Sequence, residues 1–201
     1  MSWALNDTEK IKSLDCIHCI NNWPGPGKDA DSAWKTPSRI AYPDGKKVRA
    51  VQWGFKVKDD VKSYTWMKLL LDRQQARKYD DPSLRDSEGA GVLTLPPDKD
   101  AVEVCADFLQ EVARFCYGEL KKRLSQQVVS VTPVEFYFTC PAVWTDRAQL
   151  DTLRAAKIAA EKAEIHFSAG AEVFLIREPE AAAIATIWSQ GRELSGQQIK
   201  V

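Results

Sequence analysis

From Val134 to Cys140 apolar and polar residues alternate, with Val134, Phe136, Phe138 and Cys140 on one face. A period of two belongs to a strand with one buried face, and a strand is predicted there. Thr145 then offers an N-cap hydroxyl and Asp146 brings negative charge to the first turn. The alanine-rich stretch that follows predicts a helix to about Ile165. A second short strand is predicted at Glu172 to Ile176. Pro179 suits the first position of a helix running through Ala181, Ala185 and Trp188. The order strand, helix, strand, helix implies two parallel strands joined by a right-handed crossover.

Asp98 to Leu124 has the clearest helical period. Val102, Cys105, Phe108, Leu109, Val112, Phe115 and Cys116 share a face, and Glu103, Asp107, Gln110 and Glu111 lie largely opposite. Asp98, directly after Pro97, is the expected cap. The first third reads as short strands. One is the apolar-rich run Asp15 to Ile20, closed by Asn21-Asn22-Trp23-Pro24-Gly25 and a loop through Pro26, Gly27, Lys28 and Asp31. Ser38 to Tyr42 and Val48 to Trp53 flank Pro43-Asp44-Gly45-Lys46, a hairpin signal. Val61 to Leu71 has the spacing of the start of a helix. Arg73 to Asp98, interrupted by Pro82, Gly89, Gly91, Pro96 and Pro97, reads as a surface excursion.

Composition narrows the classes. The chain has 201 residues, 44% hydrophobic and 28% charged, which is globular. Its 28 basic and 28 acidic residues cancel, so overall charge gives no case for nucleic acid or an anionic membrane as partner. Lys121-Lys122-Arg123 is the densest basic patch and suits a helix C-terminus. There is no membrane-length apolar run, and Met1 to Lys10 lacks the apolar core of a signal peptide. Five cysteines at irregular spacing imply reduced thiols in a cytosolic or nuclear setting. Cys16-Ile17-His18-Cys19 has metal-ligand spacing but no second pair to complete a tetrahedron. His166 has no partner for a triad, and neither G-x-G-x-x-G nor a P-loop is present. The seven tryptophans are scattered, as in core and hairpin packing.

In open α/β sheets ligands bind beyond the carboxyl ends of the strands. Cys140-Pro141-Ala142 and Arg177-Glu178-Pro179 occupy two such ends. If the two strands are neighbours, Pro141 and Glu178 face one crevice. Glu178 can then accept from metal-bound water or orient an attacking water. On spacing alone a helix N-cap is the commoner use of such a carboxylate. Lys68, inside Trp66-Met67-Lys68-Leu69-Leu70-Leu71, either snorkels to solvent, the default, or is a functional point charge.

Phe138-Thr139-Cys140-Pro141-Ala142-Val143-Trp144-Thr145-Asp146, an alanine-rich helix, and Leu175-Ile176-Arg177-Glu178-Pro179-Glu180-Ala181-Ala182-Ala183 together resemble the Hsp70 family. That family has V-P-A-x-[FW]-[ND]-D, a helix, and N/E-E-P-x-A-A-A. Trp144 and Glu180 are closer to the Hsp70-like proteins of filamentous fungi. Ile20 to Gly25, Thr36 to Tyr42 and Met67 to Asp72 are similar in the same order, so the resemblance spans nearly the whole chain.

The resemblance implies an α/β chain with the ribonuclease H-like, actin-like ATPase fold, here an incomplete lobe I. Residues 1–35 and 129–201 would form the sheet subdomain and 36–128 a smaller inserted subdomain. It implies the chaperone cycle of that family, driven by ATP and Mg. Glu178 matches the magnesium-water glutamate, Lys68 the lysine near the γ-phosphate, and Pro141 a proline that relays nucleotide state. The sequence departs from the pattern in three places. The D-x-G-T-T segment expected before Ser2-Trp3-Ala4 is absent, as is the D-x-G-G-G-T segment expected after Ile199-Lys200-Val201. Gln149 stands where many Hsp70 proteins have arginine. The expectation is a partial nucleotide-binding lobe that neither binds ATP and Mg tightly nor turns ATP over by itself. Any metal contact of Glu178 would run through water. The expected partners are the remainder of the ATPase domain or a second copy, and a co-chaperone or client protein. The alternative is a non-catalytic interaction module derived from such a lobe, and either belongs in the cytoplasm.

Overall fold

The computed structural model of the chain describes residues 1–4, 17–25, 33–76, 90–163 and 172–194. Among these, β1 (Ser2–Trp3) pairs antiparallel with β2 (His18–Cys19). A four-stranded sheet has the order β4-β3-β5-β6, built from β3 (Arg39–Ala41), β4 (Gln52–Trp53), β5 (Ser63–Thr65) and β6 (Ala90–Val92). Between β5 and β6 lie a 3₁₀ turn, Met67–Leu71, and a short helix α1 (Arg73–Ala76). Then come α2 (Ala101–Leu124), α3 (Gln126–Val131), β7 (Glu135–Cys140), α4 (Asp146–Lys162), β8 (Glu172–Arg177) and α5 (Glu178–Leu194). The chain is a mixed α/β structure of small sheets and helices. No helix among the described residues is long and apolar enough to cross a membrane.

The predicted strand–helix–strand–helix unit forms. β7 and β8 run parallel in register from Glu135 opposite Glu172 to Cys140 opposite Arg177. The alternation on β7 decides its faces. Cys140 is buried, Phe136 and Phe138 are half-buried, and Tyr137 on the opposite face is exposed. α4 starts where Thr145 predicts, with its Oγ1 accepting from the Ala148 N–H at 3.3 Å.

The small side chains of α4 let it pack closely. Ala148, Ala155, Ala156 and Ala159 are buried. Ala148 and Ala155 share one core with Val102, Val104, Cys105 and Ala106 of α2, with Ile40 and Tyr64 of the second sheet, and with Cys140. The core therefore joins residues on both sides of position 128. At the rim, Asp107 of α2 receives Lys99 at 2.9 Å, Lys162 at 3.4 Å and the Tyr42 hydroxyl at 3.0 Å. A second cluster gathers Ile20, Trp23, Trp53 and Cys116.

Four expectations are corrected. α2 is capped by Asp100, not Asp98. Asp100 accepts from the Glu103 N–H at 2.8 Å and Glu103 returns to the Asp100 N–H at 2.8 Å, a reciprocal pair that Asp98 has no third-position glutamate to make. Val61 to Leu71 is not a helix start but β5 followed by the 3₁₀ turn, because Trp66 adopts a left-handed φ of 59°. The stretch read as a surface excursion includes β6, which pairs parallel with β5 from Ser63–Ala90 to Thr65–Val92. In the predicted hairpin the antiparallel pair does form, Ile40 opposite Trp53, but Val48 is buried in the connection and not in a strand. There Asp44 Oδ1 accepts from the Lys46 and Val48 N–H groups, both at 2.8 Å, and Gly45 takes a φ of 72°. Cys16, the loop at 26–32, Pro82, Ile165, His166 and Ile199 to Val201 lie outside the described residues.

Candidate functional site

The parallel register fixes the first half of the site. With Cys140 opposite Arg177, the next residues along the two strands, Pro141 and Glu178, emerge level at the same sheet end. Glu178 opens α5 there. The buried Cys140 thiol adds a weak contact across the two strand ends, 3.7 Å from the Ile176 carbonyl.

The 3₁₀ turn supplies the second half. Met67 and Leu71 are buried beneath it, which leaves Lys68 on its outer side. Lys68 Nζ lies 2.9 Å from Glu178 Oε1, a contact between residues 110 positions apart in sequence. The same amine sits 5.4 Å from the centre of the Trp144 ring, within cation–π range. Trp144 is buried, and its carbonyl accepts from Gln149 Nε2 at 3.1 Å. Lys68 thus has two definite neighbours where snorkelling would leave it free. Glu178 does not serve as the cap that spacing favours. At this helix end it is Glu180 Oε2 that accepts from the Arg177 N–H, at 3.4 Å.

Lys68 and Glu178 are 46% and 47% exposed, so solvent screens their attraction and the pair stabilises the fold by only about 0–1 kcal/mol. Its geometry must come from the backbone segments that carry it. One of these is strained, since Trp66 precedes the turn in the left-handed region, where a bulky residue is rare. The connection after β7 is organised by the Trp144 N–H donating to the Pro141 carbonyl at 3.3 Å.

The arrangement places a positive point charge and a carboxylate side by side at an open strand end. The amine can meet a phosphate oxygen, and the carboxylate can accept from a cation's water. No cluster of three His, Cys, Asp or Glu side chains suited to a metal occurs among the described residues. The cysteines are of another kind. Burial pushes the Cys105 and Cys116 thiols up to about 12, so they stay protonated and unreactive at neutral pH. Burial also raises Cys140. Cys19, beside His18, is exposed and free, and the His18 ring lies tilted against Trp3 with centroids 4.5 Å apart.

Sequence reasoning missed Asp72. This carboxylate is 2% exposed, accepts from the Gln74 N–H at 3.0 Å through Oδ1 and reaches the Thr145 N–H at 3.2 Å through Oδ2. The available signal was an acid directly closing the apolar run Leu69-Leu70-Leu71. No protein-family model matches the chain, and no curated protein matches it.

Proposed function

We propose that the chain is a partial lobe I of an Hsp70-like chaperone ATPase with the actin-like fold, acting in the cytoplasm. The observation that carries this reading is the meeting of Lys68 and Glu178 at 2.9 Å beside Pro141. These are the residues that the resemblance matches to the γ-phosphate lysine, the magnesium-water glutamate and the relay proline. Their convergence at the carboxyl end of a parallel pair is the layout a phosphoryl-transfer site needs.

The residues present fit Mg-ATP only in part. Lys68 would meet a terminal phosphate, and Glu178 would hold one of the cation's waters. Neither loop of backbone N–H groups that cradles phosphates occurs in the sequence, and those loops also carry the metal-binding aspartates of the family. Positioning and electrostatic stabilisation are what such catalysis depends on, so two groups without a cradle give no turnover. The expected result is no Mg-ATP hydrolysis above that of a Glu178→Ala control in a steady-state phosphate-release assay. A turnover abolished by Glu178→Ala would overturn the reading of an inactive partial lobe.

One observation favours a second reading, an interaction module. Tyr137, Val143, Ile184 and Ile187 are between 57% and 71% exposed on and around the β7–β8 unit. Parallel sheets ordinarily have both faces covered. Light scattering that finds a monomer at all concentrations would leave self-association without support.

A further inference from the structure

We propose that Asp72 is a positioning residue that locks the Lys68 turn to the Pro141–Thr145 segment and so sets the Lys68–Glu178 contact. The functional weight of this role rests on the nucleotide-lobe reading above.

The Lys68–Glu178 pair is too solvent-screened to hold its own geometry. Each partner must be fixed from below. Glu178 is fixed by β8, whose register with β7 is continuous over six residue pairs. Lys68 sits on a turn of five residues whose entry, at Trp66, is in the left-handed region. Strained backbone persists only where its surroundings over-determine it. Asp72 supplies that constraint at the exit of the turn. Its own N–H donates to the Leu69 carbonyl at 3.2 Å, so the carboxylate is anchored to the turn itself. From there Oδ2 crosses to the Thr145 N–H at 3.2 Å. Thr145 is the cap of α4 and follows Trp144, whose ring lies under the Lys68 amine. A carboxylate buried this deeply cannot release such an N–H to water, so the clasp resists opening. The turn and the connection after β7 therefore move as one piece.

Pulse labelling of lysines with an acylating reagent on the full chain, read by peptide mass spectrometry, tests this. Lys68 is accessible, and its pairing with Glu178 slows its modification. Glu178→Gln should raise the Lys68 labelling rate several-fold. Asp72→Asn should do the same while Lys47 and Lys122, paired elsewhere, keep their rates. Val129→Ala, a buried site in neither the turn nor the 141–145 segment, should leave Lys68 unchanged and controls for general loosening. If Glu178→Gln accelerates Lys68 and Asp72→Asn does not, the positioning role is overturned and the pair stands. If Asp72→Asn accelerates all three lysines alike, the role is merely structural and the proposal is again overturned. If Glu178→Gln has no effect, the pair itself is absent and the nucleotide-lobe reading falls with it. Should Asp72→Asn fail to fold, amide exchange in the unaltered chain decides. Equal protection of the Leu69 and Thr145 N–H groups supports one locked piece, and a Thr145 N–H exchanging as in an unfolded chain overturns it.

Discussion

Replacing Trp53 by alanine is expected to destabilise the chain by about 3–5 kcal/mol. The indole is 2% exposed and is the largest fully buried side chain among the described residues. It meets Trp23 and Phe108 edge-on at 6.4 and 6.3 Å, and Phe115 at 6.0 Å. Its strand position opposite Ile40 links this aromatic cluster to the second sheet. Alanine would leave a void bordered by rings that cannot collapse into it. Net stabilities of single domains are roughly 5–15 kcal/mol, so the loss is a large share of the total. Equilibrium urea unfolding should show a much lower midpoint with little change of slope. An unfolding free energy within about 1 kcal/mol of that of the unaltered chain would contradict the packing described.

The neighbouring position gives the second large effect. Gly54 has a φ of 56°, and a Cβ at that position would collide with Thr36 Oγ1. Gly54→Ala is therefore expected to cost roughly 2–5 kcal/mol, from left-handed strain of about 1–2 and crowding of about 1–3. The two causes can be separated. Thr36 Oγ1 is buried without a hydrogen-bond partner, so Thr36→Ala removes the obstacle without breaking a bond. In thermal or urea unfolding, Gly54→Ala in the Thr36→Ala background should recover the crowding share and keep the backbone share. Full additivity of the two substitutions would contradict a clash between them.

What the sequence disclosed followed from how local each cause is. The β7–α4–β8–α5 unit was readable because its signals sit within a few residues of their effects: alternation on Phe136 and Phe138, the Thr145 cap, the alanines of α4. The region around Lys68 was not. Tyr64, Trp66, Met67 and Leu70 have helical spacing, and only the left-handed backbone at Trp66 breaks it. β6 is three residues long, contains Gly91, and becomes a strand only through pairing with β5 across the chain. Asp98 and Asp100 follow the same proline, and Glu103 selects between them. Of the candidate site, Pro141 and Glu178 were placed at strand ends by the pattern itself. Lys68 stood out as a lone lysine in an apolar run, with snorkelling the default, but its meeting with Glu178 was not legible, because no periodicity relates residues 110 positions apart. Asp72 escaped notice since a single acid after an apolar run reads as a boundary until its partner, Thr145, is brought beside it.

The claim on which the functional reading turns is that the Lys68 amine and the Glu178 carboxylate touch at the end of the parallel pair. A water-soluble carbodiimide joins a lysine to a carboxylate with no spacer, and so captures only pairs in direct contact. Treated with it, the chain should yield a peptide linked between Lys68 and Glu178, alongside links at the exposed Lys47–Asp60 pair. Recovery of the Lys47–Asp60 link with no Lys68–Glu178 link would contradict the site.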